Sequence, residues 1–384
     1  MRVLHAYNGH RGRGGADVAV ATTVRVSLAG GLDVRTFVRD SRDLAPGVRG
    51  RLAAFTNGVY ARRSVADFES ALAEFRPDIV HVHELYPLIS PWILPRCTAR
   101  GVPVVMSVSD YRFTCPITTH FRAGRVCMEC VGGHEARVVL HNCRENFPES
   151  IAYALFAKVR TWFRLYSDNV AHYVAPSDFL GRWLVEHVPI APERVTTVYP
   201  PVPLPAEAAD PAAGRYVAFA GRFAAGKGVD VLLEAVRRVK LPLRLSGDRD
   251  SIEGVRPGED IALVPAHGRD EVDAFLRGAR VVVMPSIWNE TFGLVAAEAM
   301  ALGLPVVASR IGALVENVRD GETGLLVAPG DPIALADAIS RLWNDPELCR
   351  RLGNAGRARV RDLFRDELHF EGLRAVYERV LAAH

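Results

Sequence analysis

A short apolar run, Val281 to Met284, leads straight into Pro285-Ser286-Ile287-Trp288-Asn289-Glu290-Thr291-Phe292-Gly293, and from there into Leu294 to Leu302, a stretch apolar on every helical face except at Glu298. The first run has the character of a buried strand, and the last reads as a buried helix. A carboxylate buried without a partner costs several kcal/mol, so Glu298 either pairs with an arginine in the core or faces a polar cavity. Glu290 lies in the loop before the helix, a place where a glutamate is ordinarily just solvated. Thr291 is placed to cap the helix, and Gly293 permits close approach of a ligand to the backbone. The free N–H groups of the first turn suit hydroxyl or phosphate oxygens. Two carboxylates and a set of unpaired donors therefore converge on one strand-to-helix junction.

The chain around this junction alternates strand and helix. At 384 residues it has room for two domains, and 49% apolar with 24% charged residues is the composition of a globular protein. No apolar run approaches the roughly 18 residues that would span a bilayer. Met1 to Tyr7 reads as a first strand and not as a signal peptide, which makes the cytoplasm the expected compartment. Residues 1–200 hold 24 basic against 18 acidic side chains, the remainder 23 against 26. The basic excess of the first half favours an anionic acceptor or peripheral contact with the inner membrane surface, and no nucleic-acid partner is expected.

In chain order, the first strand meets a glycine-rich turn, Asn8 to Ala16, and a helix from about Asp17 to Leu28. Strand, glycine turn and helix present backbone amides to phosphate, although such turns also serve plain chain reversal. Val34 to Val38 reads as a strand, and Leu52 to Phe75 as one helical stretch with Arg51, Arg62 and Arg63 on a polar face. Pro77 to Glu84 is a buried strand whose carboxyl end brings His83 and Glu84 near a ligand site, while His81 reads as a hydrogen-bonded core histidine. Val102 to Val108 is the next strand and ends at Ser109. Then come Cys115, Cys127, Cys130 and Cys143, spaced x11, x2 and x12. That pattern fits a tetrahedral structural zinc site, with His120, His134 or His141 able to replace one cysteine, and leaves free thiols, disulfides or an iron–sulfur cluster open.

Helical pattern returns from Ser150 to Tyr166, followed by a strand from His172 to Ala175, a helix cap at Ser177 and a strand from Arg194 to Tyr199. A proline-punctuated linker, 200–214, divides an N-terminal domain (1–199, with the cysteine-bearing insertion 112–146) from a C-terminal one (215–364). Tyr216 to Ala220 opens the second domain and runs into Gly221-Arg222-Phe223-Ala224-Ala225-Gly226-Lys227-Gly228, with a helix from Val229. Arg222 and Lys227 flank this loop, so a fork and a point charge can reach one diphosphate.

With Gly-Arg-x4-Lys-Gly at 221–228, Glu-x7-Glu at Glu290 and Glu298, and Ala299 to Ser309 following, the chain resembles retaining glycosyltransferases of the family 4 type, which have the GT-B fold. The resemblance implies an α/β architecture of two Rossmann-like domains with mostly parallel sheets facing a central cleft, and a last helix (365–384) crossing back to the first domain. It implies transfer of a sugar from a nucleotide-diphosphate donor to a hydroxyl of a saccharide, lipid-linked saccharide or small molecule, with retention and without a catalytic metal or cofactor. In that reading Glu290, Arg222 and Lys227 are catalytic. Gly14 and Gly15 approach the donor diphosphate, Glu298 holds the ribose, and Thr291, Phe292, Gly293 and Leu294 complete the donor site. A base contact is implied near His267-Gly268-Arg269. Ser109 stands where relatives usually have a histidine that contacts the donor sugar, a departure that bears on sugar identity and rate. The alternatives are a degenerate nucleotide-sugar binder, another enzyme of the fold such as a phosphorylase or epimerase, and a zinc-stabilised partner-binding protein.

Overall fold

A computed structural model describes residues 1–9, 15–247, 260–265 and 268–384. These fall into two compact units: Met1–His120 with Cys127–Pro201 and Asp366–His384, and Phe121–Val126 with Val202–Arg365.

The first unit is built on strands β1 (Arg2–Gly9), β2 (Asp33–Asp40), β3 (Ile79–Val82) and β4 (Val104–Ser107). A hairpin, β5 (Phe121–Arg122) and β6 (Arg125–Val126), follows and groups with the second unit; β7 (His172–Ala175) and β8 (Val195–Thr197) complete the first sheet. Its order is β2-β1-β3-β4-β7-β8, parallel throughout. Central strands such as Ile79–Val82 are buried on both faces, which is why they read as continuous apolar runs. Helices α1 (Gly15–Ala29), α2 (Val48–Tyr60), α3 (Arg62–Phe75), α4 (Ile93–Thr98), α5 (Arg137–Leu140), α6 (Phe147–Trp162) and α7 (Asp178–His187) also belong to this unit. The stretch read as one helix from Leu52 to Phe75 is two. Ala61, at φ −85° and ψ 75°, leaves helical geometry and separates α2 from α3. Ser177 does cap α7, accepting from the Leu180 N–H at 3.1 Å.

The second unit carries β9 (Tyr216–Ala220), β10 (Leu243–Ser246), β11 (Ile261–Leu263), β12 (Ala279–Met284), β13 (Val306–Ser309) and β14 (Gly324–Val327). Its parallel order is β11-β10-β9-β12-β13-β14. Helices α8 (Val229–Val239), α9 (Arg269–Arg277), α10 (Leu294–Ala301), α11 (Leu314–Asn317), α12 (Pro332–Asn344) and α13 (Pro346–Leu363) surround it. The strand order reverses between β9 and β12. In open parallel sheets the loops leaving the carboxyl ends at such a reversal form the ligand crevice. Those two loops are 221–228 and 285–293.

The last helix, α14 (Asp366–Ala382), returns to the first unit. Leu373, Val376, Tyr377 and Val380 pack with Val3, Ile79, Val105 and Val174 of the sheet. Arg25 of α1 closes a two-pronged ion pair on Asp366. Among the described residues no helix is long and apolar enough to cross a membrane.

Candidate active site

The β9 loop and the β12 loop meet through one ion pair. Lys227 Nζ lies 2.7 Å from Glu290 Oε1, and the same oxygen accepts from Ser286 Oγ at 2.6 Å and Trp288 Nε1 at 3.0 Å. Three donors on one oxygen leave Oε2 with no partner among the described residues. Burial pushes the Glu290 carboxyl up, but Lys227, helped by Ser286 and Trp288, more than offsets this and holds it below the usual range. Glu290 is therefore a fixed carboxylate. Its backbone is fixed as well: Ala313 N donates to the Glu290 carbonyl at 2.9 Å, and a Cβ on Gly312 would meet Glu290 N at 2.5 Å. The turn after β13 thus presses Glu290 into place, and only glycine fits there, at φ 57°. Arg222, by contrast, is exposed and has no ion-pair or hydrogen-bond partner among the described residues.

Helix α10 begins at Leu294, where the sequence places the apolar helical stretch, but its cap differs. Its cap is Gly293, at φ 86°, and not Thr291. The left-handed cap turns the Gly293 carbonyl onto the N–H groups of Ala296 and Ala297, and the amides of Leu294 and Val295 have no bond within the helix. Phe292 turns its ring into the core against Phe364, at 5.3 Å between centroids, so only its backbone remains for a ligand. Glu298 keeps 20% of its side chain exposed and faces Arg269 at 3.7 Å, an ion pair beyond hydrogen-bond length. Burial pushes its carboxyl up to about 6, Arg269 drawing it down and Asp273 adding to the rise. The two readings open for Glu298 thus combine: an arginine is near, yet the carboxylate retains hydrogen-bonding capacity.

In the first unit, Ser109 is exposed just beyond β4, and Gly15 opens α1 with free space where a side chain would be. Gly14 and His267 lie outside the described residues. Glu84 is held by the buried Arg112, which also grips Asp110. His81 is the core histidine expected: Nδ1 meets Tyr377 Oη at 2.6 Å and Nε2 meets Ser107 Oγ at 2.8 Å. His83 is buried too, with His5 Nδ1 3.0 Å from its Nε2. Sequence reasoning missed both Arg112 and His5, because only the strand order brings residues 28 and 78 positions away beside them.

None of the four insertion cysteines forms a disulfide. Burial pushes the Cys130 thiol up to about 12, with Cys115, Cys143 and Cys127 adding to the rise, so those three lie within electrostatic reach of Cys130. They are not drawn as tightly as His5, His81 and His83, whose ligand atoms lie within 4.8 Å of one another. His120 bonds Thr114 and the Cys127 carbonyl, and His141 bonds Glu129. Both are engaged elsewhere, while the His134 ring has no hydrogen bond among the described residues.

Residues 13–204, half of the 384, match the family described as Glycosyltransferase Family 4, and residues 205–359 match Glycosyl transferases group 1. The chain belongs to Glycosyltransferase Family 4. The uncharacterised glycosyltransferase MJ1178 of Methanocaldococcus jannaschii is 37% identical over 166 residues, 42% of this chain and 47% of that protein. A D-inositol 3-phosphate glycosyltransferase of Arthrobacter sp. is 36% identical over 210 residues, 49% of this chain and 48% of its own length. The chain spans about half the length of these relatives. Among solved structures, sucrose-phosphate synthase of Thermosynechococcus elongatus superposes with TM-score 0.74 at 22% identity, covering 100% of both chains. Anabaena Alr3699/HepE in complex with UDP and glucose superposes with TM-score 0.70 at 16% identity, covering 99% of this chain and 100% of that one. At those identities the likeness shows the GT-B fold.

Proposed function

We propose that this family 4 protein is a retaining glycosyltransferase that moves a sugar from a nucleotide diphosphate to an acceptor hydroxyl, with no catalytic metal. The observation that carries the proposal is the Lys227–Glu290 pair at the strand-order reversal, with the free Arg222 on the same loop as Lys227. Arg222 and Lys227 meet the charge that builds on the departing diphosphate, the dominant electrostatic term in such a transfer. The bond between the anomeric carbon and the phosphate oxygen breaks, the bond to the acceptor oxygen forms on the same face, and the acceptor's proton passes to the leaving diphosphate. Glu290 Oε2 accepts from a donor-sugar hydroxyl and sets its angle. Glu298 accepts from the ribose hydroxyls, and the open amides of α10 serve the phosphate or sugar oxygens. A second reading, a nucleotide-sugar binder that performs no transfer, rests on Ser109.

A structural zinc on Cys115, Cys127, Cys130 and Cys143 is proposed beside this. Thiol sulfurs are donors that zinc prefers; binding it would draw the four closer, pin the insertion and leave the transfer itself untouched.

HepE was solved with UDP and with UDP-glucose, so UDP-glucose heads the donor panel. The expected result is a rise in melting temperature with one nucleoside diphosphate. Transfer from the matching sugar should then proceed in excess EDTA and give a product of unchanged anomeric configuration by NMR. An inverted product refutes the retaining mechanism. Tight donor binding without transfer or hydrolysis, restored by Ser109→His, establishes the binder instead.

A further inference from the structure

Arg160 sits in the last turn of α6 with 8% of its surface exposed, and none of its five N–H donors has a hydrogen-bond acceptor among the described residues. Its guanidinium lies 5.7 Å from the centroid of the Phe113 ring. A ring face takes up charge but leaves the in-plane N–H groups open. The same ring meets Tyr166 edge-on at 5.3 Å, and Tyr166, 3% exposed, has a hydroxyl with no partner among the described residues. Arg160 also lies within electrostatic range of the Tyr86 hydroxyl.

Arg112, next to Phe113 in the chain, shows the contrast. It is equally buried, yet Glu84 and Asp110 fill its donors. Glu135, a carboxylate within electrostatic range of Arg160, is taken by Lys158 at 2.8 Å. The Tyr166 hydroxyl is buried without a partner among the described residues, while the Arg160 donors reach solvent without a protein acceptor, so an acceptor-rich ligand would serve both, and the charge selects an anion.

We infer that Arg160, with the Tyr166 hydroxyl beside it, binds an oxyanion, a phosphate or carboxylate carried by the acceptor. Only the word acceptor rests on the transferase reading; the anion site itself does not.

Titration calorimetry and thermal shift of the whole chain with inorganic phosphate and with acetate test this, at ionic strength matched with chloride and in saturating UDP. Wild type should bind at least one of the two saturably. Arg160→Gln should weaken that binding by about tenfold or more, and Tyr166→Phe by roughly two- to fivefold, with UDP affinity unchanged in both. Wild-type anion affinity in a folded Arg160→Gln chain overturns the inference, as does the same result in Tyr166→Phe where the first variant does not fold. Failure of wild type to bind either anion overturns it too. Glycerol 3-phosphate in solution, set against phosphatidic acid in phosphatidylcholine vesicles, tells a free phosphomonoester from a lipid headgroup. A chain that holds phosphate through Arg160 but binds no nucleoside diphosphate keeps this inference and loses the transferase reading.

Discussion

Glu290 and Glu298 lie on one strand-to-helix junction, and their surroundings drive them apart. Lys227 keeps the first ionised, while burial lifts the second to about 6. A protonated carboxyl loses one of its two acceptor oxygens for the ribose hydroxyls, so nucleotide affinity should fall as pH drops through about 6, towards tenfold per pH unit below it. Calorimetry of the nucleoside diphosphate between pH 5 and 7.5 reads the slope, and Glu298→Gln should bind weakly with a flat profile. The same slope in that variant removes Glu298 from the nucleotide. The two cations differ as well. Arg222→Ala should cost roughly 2–4 kcal/mol of transition-state stabilisation, a 30- to 1,000-fold loss of turnover, with melting temperature unchanged because Arg222 has no structural partner among the described residues. Lys227→Ala should show the same kinetic loss and also lower stability, since it strands the Glu290 carboxylate. Wild-type turnover in both variants would end the clamp assignment.

At the scale of elements, the cysteine insertion carries the next prediction. Purified chain should hold about one zinc per molecule, and stripping it should lower melting temperature more than it slows transfer at a permissive temperature. Absence of zinc, with four titratable thiols, sinks that proposal. The strands around the insertion show what was legible. Tyr216–Ala220 and His172–Ala175 match the sequence reading residue for residue, because both are buried along their whole length and built mostly of apolar and aromatic residues. Val102 to Val108 was read too long: the flanking valines are apolar, but pairing covers only Val104–Ser107. Apolarity reports burial and not strand pairing. Thr291 looked like a cap by residue type, yet the left-handed turn belongs to Gly293, and no side-chain preference signals a backbone φ two residues on. Lys227 and Glu290 were each singled out, but their contact, 63 positions apart, follows only from the β9–β12 adjacency.

For the whole molecule, acid is the discriminating condition. Burial lowers the basicity of His5 to about 3 and of His369 to about 4, and holds His81 and His83 well below the ordinary value of 6.5. All four lie in the first unit. A histidine depressed on folding contributes stability that is full above 6.5 and lost as pH falls towards its folded value, about 1.4 kcal/mol per pH unit for each group. Glu298 in the second unit has the opposite sign: raised on folding, its contribution is full below 4.5 and lost as pH rises through about 6. Between pH 7.5 and 5, calorimetry should show the first unit's transition moving down steeply while the second, marked by its response to nucleoside diphosphate, moves little. Equal shifts of both would mean the histidines are not buried neutral. The return of α14 to the first sheet adds a consequence of timing. Tyr377, which closes His81, reaches the ribosome's exit after every residue of 202–365. A nascent chain therefore has the whole second unit in hand before its first sheet can be sealed, so the half synthesised first is the half finished last.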